Sequence, residues 1–272
     1  MNYKKVVFNS KISGLCNRLR ALCALLAIAE LNHAKFKLKW TPNWACPEKF
    51  ENLFESIPYE KIPWKFWGER LEFEPNGPAP VTLWKKYVNP KVCSEEKFYD
   101  IVMNYVRALK PLPHITKKIN NFVDKNWAKK VIGIHIRKTD MLKDKVREDR
   151  AKNEPVPWLS ETNERYHKII KKELKINPSV KFFLATDNDK TEKELLEKFP
   201  DKIICQSKTY NSENKNKKLP KHYHRHTSIE DALIDVYLLS KCVKIYGTPY
   251  SSFNRFASWL NPKIGEDNLI PV

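Results

Sequence analysis

The run Val131-Ile132-Gly133-Ile134-His135-Ile136 limits most sharply what this chain can fold into. Four of its six residues are apolar and β-branched. A run that short and that apolar reads as a strand buried on both faces, the situation of a parallel sheet covered by helices on either side. Polarity then returns at once, with His135 inside the run and Arg137, Lys138, Thr139 and Asp140 after it. In open α/β sheets, ligands bind beyond the carboxyl ends of the strands. A strand ending in two cations, a hydroxyl and a carboxylate is suited to hold an anion such as a phosphate. The competing reading is a surface Arg–Asp pair that merely caps the strand.

Length and charge narrow the class. With 272 residues and 42% apolar content the chain can bury a core without staples. The net charge of +18 comes from forty lysines and ten arginines spread over the whole sequence. A nucleic-acid footprint would be concentrated, so a basic nucleic-acid binder is not expected, although the positive potential favours anionic ligands. Six cysteines lack any C-x-x-C spacing, and Met1–Val6 carries no apolar leader. Both features suggest reduced cysteines in a cytoplasmic protein. Ala21–Leu31 is interrupted by Glu30 and falls short of the roughly 20 apolar residues a membrane span needs.

Taken in order, Lys5–Asn9 reads as a strand, Ser13–Leu19 as a Gly-containing turn, and the following residues as a helix to about His33. Strand, turn and helix make a layout that cradles phosphate on free N–H groups. One glycine is a weak signal for it. Arg18 and Arg20 are expected at the exposed start of this helix, where cations are disfavoured unless an anion is near; solvated arginines are the alternative. Phe36–Trp40 reads as a second strand. Ser56–Val92, rich in Pro and Trp, is expected to pack irregularly. Helices follow over 98–109 and 115–127, and the expected domain boundary lies at 128/129. Beyond it, strands at 131–136, 180–185, 202–205 and 243–246 alternate with helices over 160–175, 191–199, 228–240 and to about 260, with a charged loop at 141–159. That alternation predicts an α/β doubly wound parallel sheet.

Three of the predicted strand ends carry chemistry: His135/Arg137/Lys138/Asp140, Thr186/Asp187/Asn188, and Gly247/Ser251/Ser252. In one parallel sheet they share an edge and outline a crevice. Arg137 and Lys138 suit a diphosphate, with Ser251 and Ser252 adding hydrogen bonds. Asp235 or Asp187 would pair with a base edge or ribose hydroxyls. Arg225 would add charge near the diphosphate. The alternating histidines 222, 224 and 226 lack a partner at metal-ligand spacing, so no metal is expected. There is no G-x-S-x-G elbow and no Walker lysine.

These islands, together with Gly14-Leu15-Cys16-Asn17-Arg18-Leu19, resemble in order and spacing the α-1,6-fucosyltransferases of the core N-glycan and nodulation type. They also resemble the wider superfamily of α-1,2 and protein O-fucosyltransferases. The resemblance implies a GT-B-like fold of two Rossmann-like doubly wound domains, 1–128 and 129–272, with the active site in the cleft between them. It implies inverting, metal-independent transfer of a sugar, L-fucose from GDP-fucose, to a glycan hydroxyl. The nucleotide-diphosphate sugar is then a co-substrate and no cofactor is needed. By position, Arg137 matches the arginine on the donor β-phosphate and Lys138 the second arginine of that pair. Asp235 and His135 match residues around the guanine, Ser251 and Ser252 the Ser pair near the phosphates, and Gly14, Asn17 and Arg18 the turn beneath them. Asp140 and Asp144 are the candidate bases. Lys138 departs from the family, keeping the charge but losing the planar fork. The acid expected shortly after the basic run has no clear match, with Asp144 and Glu148 only nearby. A UDP-sugar such as UDP-xylose is the alternative donor, and a non-catalytic nucleotide- or sugar-binding module the second alternative. Neither the acceptor nor the oligomeric state is legible.

Overall fold

The computed structural model describes residues 3–10, 13–57, 70–73, 80–127, 130–138, 163–210, 227–264 and 268–272. By its contacts the chain divides into two units, Met1–Ile115 and Thr116–Val272.

In the first unit, β1 (Lys5–Ser10) is central and pairs in parallel with β2 (Lys35–Trp40) and β3 (Arg70–Phe73). The helices are α1 (Leu15–Leu31), α2 (Pro80–Tyr87), α3 (Glu95–Ala108) and the start of α4 (Pro113–Asn126). Helix α1 has almost no polar face, and it is buried from Leu15 to Ala29 apart from Asn17. It can be so because it packs on β1, β2, α2 and α3. β3 and α2 lie inside the stretch expected to be irregular. Neither shows a period in the sequence, since β3 has four residues and α2 opens on a proline. Ser94 caps α3 by accepting a hydrogen bond from the Lys97 N–H (3.2 Å).

The second unit holds a parallel five-stranded sheet in the order β6-β5-β4-β7-β8. Its strands are β4 (Val131–Ile136), β5 (Lys181–Thr186), β6 (Ile203–Ile204), β7 (Ile245–Gly247) and β8 (Leu269–Pro271). Helices α5 (Glu164–Ile176), α6 (Asp189–Lys198), α7 (Ile229–Ser240) and α8 (Ser252–Leu260) connect them. All six residues of β4 are buried, as the opening run predicts. Side chains alternate between two covered faces. Ile132, Ile134, Ile136, Phe182 and Leu184 pack with Tyr166 and Ile170 of α5 and Leu195 of α6. On the other face Phe183 meets Phe122 of α4 at 5.8 Å, and Gly133 leaves room for Leu239 of α7. The sheet is therefore doubly wound. From β4 the chain winds outward through β5 and β6, then returns to lay β7 and β8 on the opposite side. The order reverses between β4 and β7, the place where such sheets open a ligand crevice.

Helices α5 and α6 are joined through a buried histidine. His167 Nδ1 lies 3.0 Å from Lys198 Nζ, and its Nε2 lies 2.9 Å from Glu194 Oε1. Lys198 has only protons to give, so the ring is neutral with its proton on Nε2. Burial, then the neighbouring Lys198 charge, depress the imidazole below its ordinary range. In the unfolded chain the ring binds a proton that the folded chain refuses. Stability is therefore full above a pH of about 6.5 and falls below it. Urea midpoints at pH 7.5 and 5.5 should show a steeper acid loss for the wild type than for His167→Gln. Equal slopes would mean that His167 titrates normally.

Candidate functional site

The sheet register brings the predicted strand ends together. Ile136 stands opposite Thr186 of β5, and His135 opposite Gly247 of β7. Arg137-Lys138, Asp187-Asn188 and Thr248-Ser252 therefore leave three adjacent strands at one edge, spaced by about 4.8 Å per strand. Arg137 and Lys138 sit at the reversal point itself.

Backbone contacts fix their exit. The Arg137 N–H donates to Thr248 Oγ1 (3.0 Å) and the Lys138 N–H to Asp187 Oδ1 (2.9 Å). The His135 carbonyl accepts from the Thr248 N–H (3.0 Å) and from the Tyr166 hydroxyl (3.2 Å), and the two hydroxyls lie 3.2 Å apart. Burial pushes the Tyr166 phenol up to about 12, so it remains a proton donor at neutral pH. Thr248 and Tyr166 thus hold the end of β4 together, at the His135 carbonyl. Sequence reading misses both. The one available signal is the hydroxyl at 248, three residues before the candidate serines.

The β7 edge is closed tightly. A Cβ on Gly247 would stand 1.9 Å from Asn254 Nδ2, which donates to the Thr248 carbonyl (3.0 Å). Ser251 caps α8, accepting from the Phe253 N–H (3.3 Å), and its residue is buried. The His135 ring stacks on Phe253, with centroids 4.7 Å apart and planes 15° from parallel. Thr186 is buried, and its hydroxyl accepts from the Asn188 N–H (3.3 Å), while Asn188 caps α6.

Thr248→Val tests the clamp. Valine keeps the shape and leaves the Arg137 N–H without its acceptor. Any activity that depends on the Arg137 strand end should fall about tenfold or more, with Thr248→Ser restoring most of it. Steady-state kinetics of the two variants decide this, and equal activity of Val and Ser variants would refute it.

Several expectations fall elsewhere. Arg18 and Arg20 are buried, not at an exposed helix start. Arg18 Nε donates to the Ser13 carbonyl and Nη1 to the Thr41 carbonyl, both at 2.8 Å, and the guanidinium lies 5.0 Å from the Trp40 ring centroid. Burial lowers its affinity for the proton, yet an arginine stays charged. It ties the α1 turn to the end of β2. Arg20 Nη2 donates to Asn17 Oδ1 (3.1 Å). Gly14 has φ −71°, open to any residue, and no atom closer than 3.9 Å to a built Cβ, so the turn does not require glycine. This turn belongs to the first unit, and the Arg137 edge to the second. Asp140, Asp144 and Arg225, with the histidine run 222–226, lie outside the described residues. Among the described residues no group of three His, Cys, Asp or Glu side chains is placed to hold a metal ion, and no helix is long and apolar enough to cross a membrane.

A family model, nodulation protein Z (NodZ), matches residues 92–271, two thirds of the chain and all of the strand ends described above. The chain belongs to the NodZ family. Solved structures agree on the fold. One is the fucosyltransferase NodZ from Bradyrhizobium, at 17% identity and a TM-score of 0.59 over 95% of this chain and 93% of that one. A NodZ α-1,6-fucosyltransferase soaked with GDP-fucose matches at 16% identity and 0.57, with the same coverage. POFUT1 in complex with GDP matches at 13% identity and 0.55, over 100% and 97%. No curated protein matches the chain. This NodZ-family chain is accordingly a glycosyltransferase of α/β, GT-B-like fold.

Asp235, expected from the sequence to face a ligand, already has partners within the protein. Asp235 is buried on α7, with both carboxylate oxygens engaged. Gln206 Nε2 donates to Oδ1 and Lys208 Nζ to Oδ2, each at 2.8 Å. Lys208 also lies 3.9 Å from Glu192, and Glu192 accepts from the Tyr210 hydroxyl (2.6 Å). Burial opposes the Lys208 ammonium, but the Asp235 and Glu192 carboxylates outweigh it and hold Lys208 charged above its ordinary range. Burial lifts the Asp235 carboxyl against the pull of Lys208 and Gln206. Sequence reading misses Gln206 and Lys208, which sit in a polar segment with no period.

Proposed function

We propose that this chain is an inverting, metal-independent fucosyltransferase that moves L-fucose from GDP-fucose to a glycan hydroxyl. The observation that carries the reading is the placement of Arg137 and Lys138 at the reversal point of a doubly wound sheet, with their backbone N–H groups held by Thr248 and Asp187. Two cations there suit the charge that grows on a leaving diphosphate. Preorganised charge of this kind is usually the largest catalytic contribution, and it supplies the neutralisation for which other transferases recruit a metal. Attack by an acceptor hydroxyl on the anomeric carbon breaks the bond to the diphosphate in a single displacement and inverts the configuration. A carboxylate takes the hydroxyl proton, and Asp140 and Asp144 are the proposed candidates. Around the diphosphate, His135, Thr186, Asp187, Arg225, Ser251 and Ser252 are proposed donor contacts. The reading rests on the second unit, and Gly14, Asn17 and Arg18 add no weight to it. All six cysteines are free, which suits the proposed cytoplasmic location.

A UDP-sugar donor has one observation in its favour. A carboxylate reads guanine by accepting from its ring N–H and amino groups, and the Asp235 carboxylate already accepts from Gln206 and Lys208. Thermal unfolding with GDP, GDP-fucose, UDP and UDP-xylose separates the readings. GDP and GDP-fucose should raise the midpoint, and stabilisation by the uridine pair alone would replace the fucose assignment.

A further inference from the structure

Helix α5 gathers its cations on one side. Arg165, Lys168, Lys171, Lys172 and Lys175 are all exposed, while Tyr166, His167, Ile170 and Glu173 are buried on the opposite side. At about 100° per residue the five cations fall within an arc of about 120° and run about 15 Å along the axis. Glu164, at the start of the helix, is the one acid exposed with them. Glu173 lies beneath, committed to Lys244 Nζ (2.7 Å) and the Tyr246 hydroxyl (2.5 Å). None of the five cations forms an ion pair with a described carboxylate. The overall charge of the chain does not explain the stripe. Helix α6, packed on the same face of the sheet, carries Asp189, Glu192, Glu194 and Glu197 against three lysines, and α7 has three acids and no cation. The helix itself does not explain it either. Cations are favoured in a last turn, which suits Lys175, but not in a first turn, where Arg165 stands. Lys168 with Lys172, and Lys171 with Lys175, are like charges four residues apart, which weaken a helix.

The same side of the helix ends on an aliphatic residue. Ile176 is 71% exposed and lies about 20° around the axis from Arg165. A flat stripe of cations that finishes on an exposed aliphatic side chain matches the two components of a bilayer surface, anionic headgroups and the acyl boundary just beneath them. A nucleic acid would answer the charge but not Ile176, and this side of α5 offers no aromatic ring on which a base could stack. We propose that the solvent face of α5 docks this chain on an anionic membrane surface, with the cations on phospholipid headgroups and Ile176 in the interfacial layer. The inference is independent of the donor, because it rests on a helix face and not on the strand ends.

The test is co-sedimentation of the full chain with two kinds of vesicle, phosphatidylcholine alone and phosphatidylcholine mixed with phosphatidylglycerol, at low and at physiological salt. The wild type should bind only the anionic vesicles, and more weakly as salt rises. Lys168→Gln combined with Lys172→Gln should weaken that binding about twentyfold, roughly fivefold for each charge removed. Lys190→Gln combined with Lys193→Gln takes the same charge from α6 and should change it less than about twofold. Ile176→Ser should weaken it about threefold without altering its salt dependence. All these variants should melt with the wild type, because every substituted side chain is exposed. A wild type that ignores the anionic vesicles would overturn the proposal. Equal losses in the α5 and α6 variants would overturn it too, by assigning the binding to net charge. Tighter binding of the wild type to duplex DNA than to the anionic vesicles, lost in the same α5 variant, would give this face to nucleic acid instead.

Discussion

Arg137→Ala should lower transfer from the donor by about a hundred- to a thousandfold while leaving the fold intact. Arg137 follows β4 where the order of the strands reverses, and Lys138 beside it is the other cation proposed for the diphosphate. The backbone at 137 is held independently of that side chain, through its N–H to Thr248 Oγ1. Truncation therefore removes charge without releasing the strand end. Arg137→Lys should recover part of the loss, because it restores the charge but not the two-pronged geometry. The result has two parts, a collapse of turnover in a steady-state assay with GDP-fucose and an unfolding midpoint close to that of the wild type. Activity that survived Arg137→Ala would remove the diphosphate from this strand end. The fall at Arg137 should exceed the one at Thr248, because Thr248 carries no charge and holds the backbone at 137.

Lys208→Met should destabilise the chain by about 3–5 kcal/mol, the usual cost of leaving a buried charge without its partner. Asp235 is 4% exposed, and the Lys208 side chain is completely buried. Methionine fills the space of the lysine stem, so the lost stability reports the stranded carboxylate and not a cavity. The sign of its pH dependence follows. Burial already lifts the Asp235 carboxyl, and without Lys208 it is lifted further. The deficit is full at neutral pH and narrows as acid protonates the carboxyl. The pair Lys208→Met with Asp235→Asn should regain most of the stability, because neither charge is then buried. Urea unfolding of the single and double variants at pH 7 and pH 5 measures both effects. A single variant as stable as the wild type would show that water reaches Asp235. The same variants address the donor. If GDP replaces Lys208 at Asp235, Lys208→Met should bind GDP more tightly even while the free protein is weaker.

Much of the second unit is legible in the order of its residues. Val131–Ile136 is apolar almost throughout because both of its faces are covered, and that pattern survives in one dimension. The caps at Ser228, Asn188 and Ser251 are equally local, since each hydroxyl or amide reaches a backbone N–H two or three residues on. The alternation of strand and helix then carries the parallel sheet, and with it the shared edge on which Arg137, Asp187 and Ser251 meet. β3 and α2 are illegible for the opposite reason. They are too short, and too marked by proline, for a period to emerge, and only pairing with β1 and packing on α1 give them a place.

The tertiary structure alone decided which polar residues are available. Arg18 reads as exposed because cations usually are, yet carbonyls from Ser13 and Thr41 bury it, the latter 23 residues away. Asp235 reads as open to a base, but a lysine 27 residues earlier neutralises it. Thr248 meets the backbone of Arg137 across 111 residues. Local patterning records whether a residue faces a core, because burial selects for apolar character at each position separately. Which partner a polar group finds depends on chain segments brought together only by folding. The sequence by itself therefore determined the sheet and the polar edge at its strand ends, and the tertiary structure determined which partners the polar side chains find.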